Sequence, residues 1–321
     1  MQLHNKDPSQ VYLTSGRLAY ERVKTMLNIS TNKNAVFIML GQSNAVGYAT
    51  LMPESERIKT PLKNVFGLTR KNNLSFDNNE LVWTPYTSGD TILGEENDHT
   101  YSVSNCLAQL WQNAIDEGKS LPNLYIITIA IGAQGVTEEY MWNPDRPKKL
   151  IPGPLGVADI SLCPLSCHIF SLLDDSFRKM GKEYEIIGLH WRGGEEDMCV
   201  PKEKLECELK QTYDRLFEKF YDNLAAIPPI VLHKIVCNKR VMEIDPSGKR
   251  LESMDYINSV FSILARENEN ISLFNVQNAP YYDSTLPYDG IFKDGDLHFT
   301  PETNRWVAKT ILESYIESSR R

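Results

Sequence analysis

Apolar residues along this chain fall into two rhythms. Five short runs are nearly continuous: Val36–Leu40, Leu124–Ile131, Glu185–Trp191, Ile230–Val236 and Ile271–Val276. Runs of that length suit strands of a parallel sheet covered on both faces, where neither side-chain direction meets water. Between them the apolar residues recur at three- and four-residue spacing. Val103, Cys106, Leu107, Leu110, Trp111, Ala114 and Ile115 predict a helix stopped by Gly118. Further helices are predicted over 168–180, 202–226 (ended by Pro228 and Pro229), 250–268, and from Thr300 through Trp306, Ile311 and Tyr315. Strand, loop, helix and strand in alternation give the crossovers that build a parallel sheet. The pattern predicts one α/β domain over 35–321. Ahead of it lies an amino-terminal extension, 1–34, whose Leu18, Tyr20, Val23, Met26 and Leu27 would pack on that domain as a helix.

Two stretches break the rhythm. From Thr50 to Thr100 the chain is polar and punctuated by Pro53, Pro61, Gly67, Pro85, Gly89 and Gly94, which implies loops and short strands. Trp83 and Tyr86 in this stretch either line a sugar site or pack the interior. Residues 143–164 are rich in proline and glycine and predict an irregular loop over one edge of the sheet.

The candidate chemistry sits where strands end. Val36–Leu40 stops at Gly41, followed by Gln42-Ser43-Asn44, and open α/β sheets hold ligands at the carboxyl ends of their strands. Ser43 is the candidate nucleophile, although a serine between strand and helix is more often an N-cap, and the spacing does not fit the GxSxG elbow. The second run ends at Gly132-Ala133-Gln134-Gly135, where Gly132 can offer an open backbone N–H to an oxyanion. The third is followed by Arg192-Gly193-Gly194-Glu195-Glu196-Asp197. His298 stands immediately before the Thr300-Pro301 helix start, a fixed position suited to a general base. His233, among apolar residues, reads as a structural histidine.

Taken in order, these segments resemble the signature blocks of the SGNH-hydrolase superfamily, in its sialate O-acetylesterase and acetylxylan esterase (carbohydrate esterase family 6) branch. Gly41-Gln42-Ser43-Asn44 matches the first block. Gly132 opens the second, where Ala133 replaces the family's second glycine and Trp142 is the candidate for its tryptophan. Trp191, Gly194, Glu195 and Asp197 match a third block that commonly reads Trp-x-Gln-Gly-Glu-x-Asp, but Gly193 stands where the family has glutamine. If that amide is a donor, Gln42, Asn44 or Gln134 must supply the contact. Asp296-Leu297-His298 matches the Asp-x-His of the branch, with Asp294 as the alternative acid and Glu195 as a further partner for His298.

The resemblance implies a three-layer αβα fold of flavodoxin-like type with a parallel sheet of about five strands. It also implies a serine esterase that removes O-acetyl groups from a carbohydrate, a sialic acid or a polysaccharide, without metal or organic cofactor. Ser43, His298 and Asp296 would be catalytic, and the N–H groups of Ser43 and Gly132 would form the oxyanion hole. Gln42, Asn44, Gln134, Glu195, Asp197 and Asp294 would support or contact substrate. The alternatives are a lipase or thioesterase of the wider superfamily, and a glycan-binding module that has lost catalysis, for which Gly193 is the best argument.

Composition narrows the partners. The chain has 321 residues, 41% hydrophobic and 24% charged, enough for a sizeable core. A net charge of -8 argues against nucleic acid or an anionic membrane and toward neutral or weakly charged substrates. No leader and no long apolar segment is legible, so the default expectation is cytoplasmic; a secreted or viral-particle component would read the same. The six cysteines form no CxxC pair, and Cys163, Cys167 and His168 lack the second cluster a metal site would need.

Overall fold

A computed structural model describes residues 33–47, 53–88, 101–137, 140–148, 150–152, 158–236, 239–286, 288–293 and 297–318. The extension assigned to 1–34 lies almost wholly outside the described residues, as do Asp294 and Asp296.

The five apolar runs are strands: β1 (Asn34–Gly41), β4 (Leu124–Ala130), β7 (Tyr184–Arg192), β8 (Ile230–His233) and β9 (Ile271–Phe274). The polar stretch before residue 100 adds β2 (Val65–Leu68) and β3 (Trp83–Pro85), and the proline-rich loop holds a small ribbon, β5 (Leu150–Pro152) with β6 (Ala158–Ile160). The main sheet therefore has seven strands rather than about five, in the order β3-β2-β4-β1-β7-β8-β9. All neighbours run parallel except β3, antiparallel to β2. The two extra strands are four and three residues long, too short to carry a period of their own.

Helices cover both faces, and each face has its own core. On one side Trp142, Trp191, Tyr213 and Phe217 pack between the sheet and the helices Leu162–Ser171, Lys202–Tyr221 and Lys249–Glu267. On the other, Phe37, Trp111, Val307 and Tyr315 pack between the sheet and the helices Val103–Asp116 and Pro301–Ser318. Within β1, Val36, Ile38 and Leu40 belong to the first core and Ala35, Phe37 and Met39 to the second, which is why the run shows no polar alternation. The helix predicted over 168–180 is two helices, Leu162–Ser171 and Leu173–Lys179. Ser102 caps its helix by accepting from Asn105 N (3.1 Å), and Thr300 accepts from Thr303 N (3.2 Å) at the head of the last one.

Tyr86 is interior and Trp83 is half-buried, and neither lines the cavity beside Ser43. Trp83 donates its indole N–H to Ser176 Oγ (2.9 Å) and packs on Tyr125 and Phe177, while Tyr86 is fully buried and donates to Asn105 Oδ1 (2.9 Å). Trp83 opens β3 and Tyr86 follows it, and each side chain reaches from the sheet edge to a flanking helix.

Candidate active site

β1 lies between β4 and β7 and is the strand where the chain order reverses, so a crevice opens outside its carboxyl end. Gly41, Ala130 and Arg192 are in register there. A cavity of about 480 Å³ occupies that crevice, within the range typical of small-ligand sites. Its wall includes Gln42, Ser43 and Asn44 after β1, Gly132 after β4, Glu195 after β7, and His298 on the terminal loop.

The turn that presents Ser43 is set by glycine. Gly41 has φ +143°, and a methyl group there would lie 1.9 Å from the Arg192 carbonyl oxygen. The bare backbone lets Gln42 N donate to that oxygen (3.0 Å), while the Gly41 carbonyl accepts the indole N–H of Trp142 (2.9 Å). Ser43 then opens a four-residue helix, Ser43–Val46, closed by Gly47 in the left-handed conformation.

Asn44 ties the site together. Its Nδ2 donates to Glu195 Oε1 (3.1 Å), and its Oδ1 accepts from Phe299 N (3.2 Å), 255 positions later. The residue after Ser43 is thus bonded to the residue after His298. Glu195 Oε2 is buried with no hydrogen-bond partner. Gln42 Oε1 accepts from Glu196 N (3.3 Å), fixing the loop after β7 against the Ser43 turn.

Gln134 and Asp197 stand behind the cavity rather than on its wall. Gln134 Oε1 accepts from Met141 N (3.0 Å) and so holds the segment that carries Trp142. Asp197 is fully buried and accepts from Val136 N (3.1 Å) and Thr137 N (3.2 Å), clamping the loop after β7 to the one after β4. A Cβ at Gly135 would lie 2.3 Å from Asp197 Oδ1, so only glycine lets the carboxyl group in. Of the three amides considered as substitutes for the missing glutamine at 193, Asn44 has both ends engaged and Gln134 faces away. Gln42, whose oxygen is engaged through Glu196, remains as the one on the cavity wall with its amide nitrogen uncommitted among the described residues.

Burial pushes Asp197 up to about 7 from an ordinary value near 3.8, against the pull of the two backbone N–H donors. The folded chain therefore keeps a proton that the unfolded chain releases above about pH 4. The stability this supplies is complete below about pH 4 and is lost as pH rises through about 7. Urea unfolding at pH 5 and pH 8 should show the parent losing more stability across that interval than Asp197→Asn. An equal loss in both would remove Asp197 as the cause.

Ala133 occupies a left-handed conformation, φ +55°, at the place where a second glycine was expected. An L-residue there costs roughly 1 kcal/mol relative to glycine, so Ala133→Gly should raise stability by up to about 1 kcal/mol, read as a higher urea midpoint at unchanged slope. A fall would mean that the Ala133 methyl makes a contact worth more than the strain.

Arg192 has no role in the sequence pattern, and His233 reads there only as structural; both line the cavity. Arg192, the last residue of β7, is buried, and its guanidinium stacks on the Phe299 ring at 4.0 Å. His233 is the last residue of β8. The available signal was alternation: in the run ending Leu189-His190-Trp191-Arg192, the polar residues share one face. Among the described residues no helix is long and apolar enough to cross a membrane.

A seven-stranded, mostly parallel sheet with helices on both faces and its crevice at the switch strand is the three-layer αβα fold of the SGNH type. Two solved structures share it: a protein from Arabidopsis thaliana, at TM-score 0.53 and 16% identity over 88% of this chain and 98% of that one, and NanS, also at 0.53 and 16%, over 89% and 99%. A carbohydrate acetylesterase from Xanthomonas citri is similar at TM-score 0.47 and 11% identity, over 85% of this chain and 54% of that one. No protein-family model matches the chain, and no curated protein matches it in sequence. The likeness to the two structures at TM-score 0.53 is one of fold.

Proposed function

We propose that this chain is a serine esterase that removes O-acetyl groups from a carbohydrate through a covalent acyl-enzyme. The observation that carries the reading is the Asn44 bracket: one side chain bonds the neighbour of His298 while itself adjoining Ser43, and both flanking residues line one cavity. His298 takes the Ser43 hydroxyl proton as Oγ attacks the ester carbonyl, and the N–H groups of Ser43 and Gly132 receive the oxyanion. Collapse expels the sugar alcohol, which takes the proton from His298. Water, deprotonated by the same histidine, then attacks the acyl-enzyme and releases acetate, restoring Ser43. These steps need neither a metal nor an organic cofactor.

Asp296 is assigned to orient His298, on the strength of the Asp-x-His match. Glu195 is the second reading for that role, favoured by a buried carboxylate oxygen that has no other partner. The carbohydrate substrate rests on the sequence blocks. The test is acetate release from p-nitrophenyl acetate and a panel of acetylated glycans. Turnover supports the esterase; glycan binding without any turnover would favour the non-catalytic module, with Gly193 as its cause.

A further inference from the structure

β7 and β8 end side by side, with Trp191 opposite Leu232 in parallel register. Arg192 and His233 occupy the next rung, so their side chains leave the same face of the sheet. Both are almost wholly buried, at 2% and 3% exposure, and both line the cavity that holds Ser43. Arg192 donates from Nη1 to Asn304 Oδ1 (3.1 Å), but its Nε and Nη2 have no hydrogen-bond partner. His233 Nε2 lies 3.0 Å from His190 Nδ1, and its own Nδ1 has no partner. Three buried nitrogens on one wall are thus unanswered.

Buried polar groups in folded proteins are almost always paired, and an unpaired buried charge is especially costly. Glu195 acts on Arg192 only through space, without a hydrogen bond. Burial brings the guanidinium down to about 9, which still leaves it charged at neutral pH. Burial first, then the neighbouring His190 and Arg192, keeps His233 neutral. When His190 donates from Nδ1 to His233 Nε2, the remaining imidazole proton sits on His233 Nδ1, which becomes a donor. A planar cationic fork beside a fixed N–H matches an oxyanion with several acceptor oxygens. A neutral sugar would offer these N–H groups no charged acceptor, and Glu195 offsets the guanidinium only through space.

We propose that Arg192 and His233 form a subsite, within the cavity assigned to ester cleavage, for an anionic group carried by the acylated substrate, a carboxylate or a phosphate. It rests on the esterase reading for the ester bound beside it, not for the anion itself. The subsite reverses the expectation drawn from net charge, because a chain at -8 presents a local cation where the ligand enters.

Two measurements on the full chain test it. The first compares kcat/KM for the 3-O-acetyl derivatives of glucose, glucuronate and glucose 6-phosphate. The second titrates Ser43→Ala with glucuronate, glucose 6-phosphate and glucose by calorimetry, where no turnover is needed. At least one acid should exceed its neutral counterpart about ten-fold in each, and the preferred acid tells carboxylate from phosphate. Arg192→Gln and His233→Phe, the latter keeping ring volume, should each shrink that gap at least five-fold. If Arg192→Gln fails to fold by circular dichroism, His233→Phe and the parent comparison carry the test. Equal handling of glucose and both acids, or a gap that survives the substitutions, overturns the subsite. Acetate release without discrimination sinks the subsite and spares the esterase. Acid-selective binding that depends on His233 without any acetate release does the reverse.

Discussion

Ser43→Ala is expected to lower p-nitrophenyl acetate turnover by about 10⁴-fold or more while leaving the fold unchanged. The side chain is partly exposed on the cavity wall and opens a helix whose buried positions are Asn44, Ala45 and Val46, so losing one hydroxyl removes little packing. Stability should stay within about 0.5 kcal/mol of the parent, as for a surface change. His298→Ala should fall nearly as far. The double variant should be little worse than either single one, because a nucleophile without its base and a base without its nucleophile are equally idle. Purified Ser43→Ala with parental activity would remove the serine mechanism altogether. Additive losses in the double variant would mean that the two residues act on different steps.

The parts of this molecule that the sequence shows are those encoded by runs and by fixed short spacings. β1 is legible because both its faces are buried, which leaves five consecutive apolar residues. The terminal helix is legible because Thr300 and Pro301 are capping chemistry that works locally. What the sequence hides is long-range pairing. Nothing near Asn44 says that its amide reaches Glu195 on one side and Phe299 on the other, and nothing near Asp197 says that it seats against Gly135. β2 and β3 are hidden for a related reason: they are strands only because β4 and β2 offer free edges. Arg192 is the most instructive miss. As the variable position inside a recognisable block it drew no attention, yet two of its guanidinium nitrogens have no hydrogen-bond partner on the cavity wall.

Gly41→Ala should be more damaging than a methyl at any other described glycine, and Gly118→Ala shows why. Both glycines have positive φ, +143° and +85°, so both substitutions strain the backbone. Gly118 meets nothing within 4 Å, and its alanine variant should lose only about 1–2 kcal/mol. At Gly41 the methyl would lie 1.9 Å from the oxygen and 2.5 Å from the carbon of the Arg192 carbonyl, which are backbone atoms held in the β1–β7 pairing. No rotamer change relieves that overlap, so strand β1 must separate from β7 at the end where Ser43 is presented. The Gln42 N bond to Arg192 and the Trp142 indole bond to the Gly41 carbonyl would go with it. The expected loss is above about 4 kcal/mol, the range reserved for overpacked backbone and broken buried networks. If enough folded protein survives for assay, its turnover should fall with the turn geometry rather than with substrate binding, so kcat drops more than KM rises. A Gly41→Ala chain as stable as Gly118→Ala would show that β1 can shift without strain, and the close approach of these two strands would then have no part in aiming Ser43.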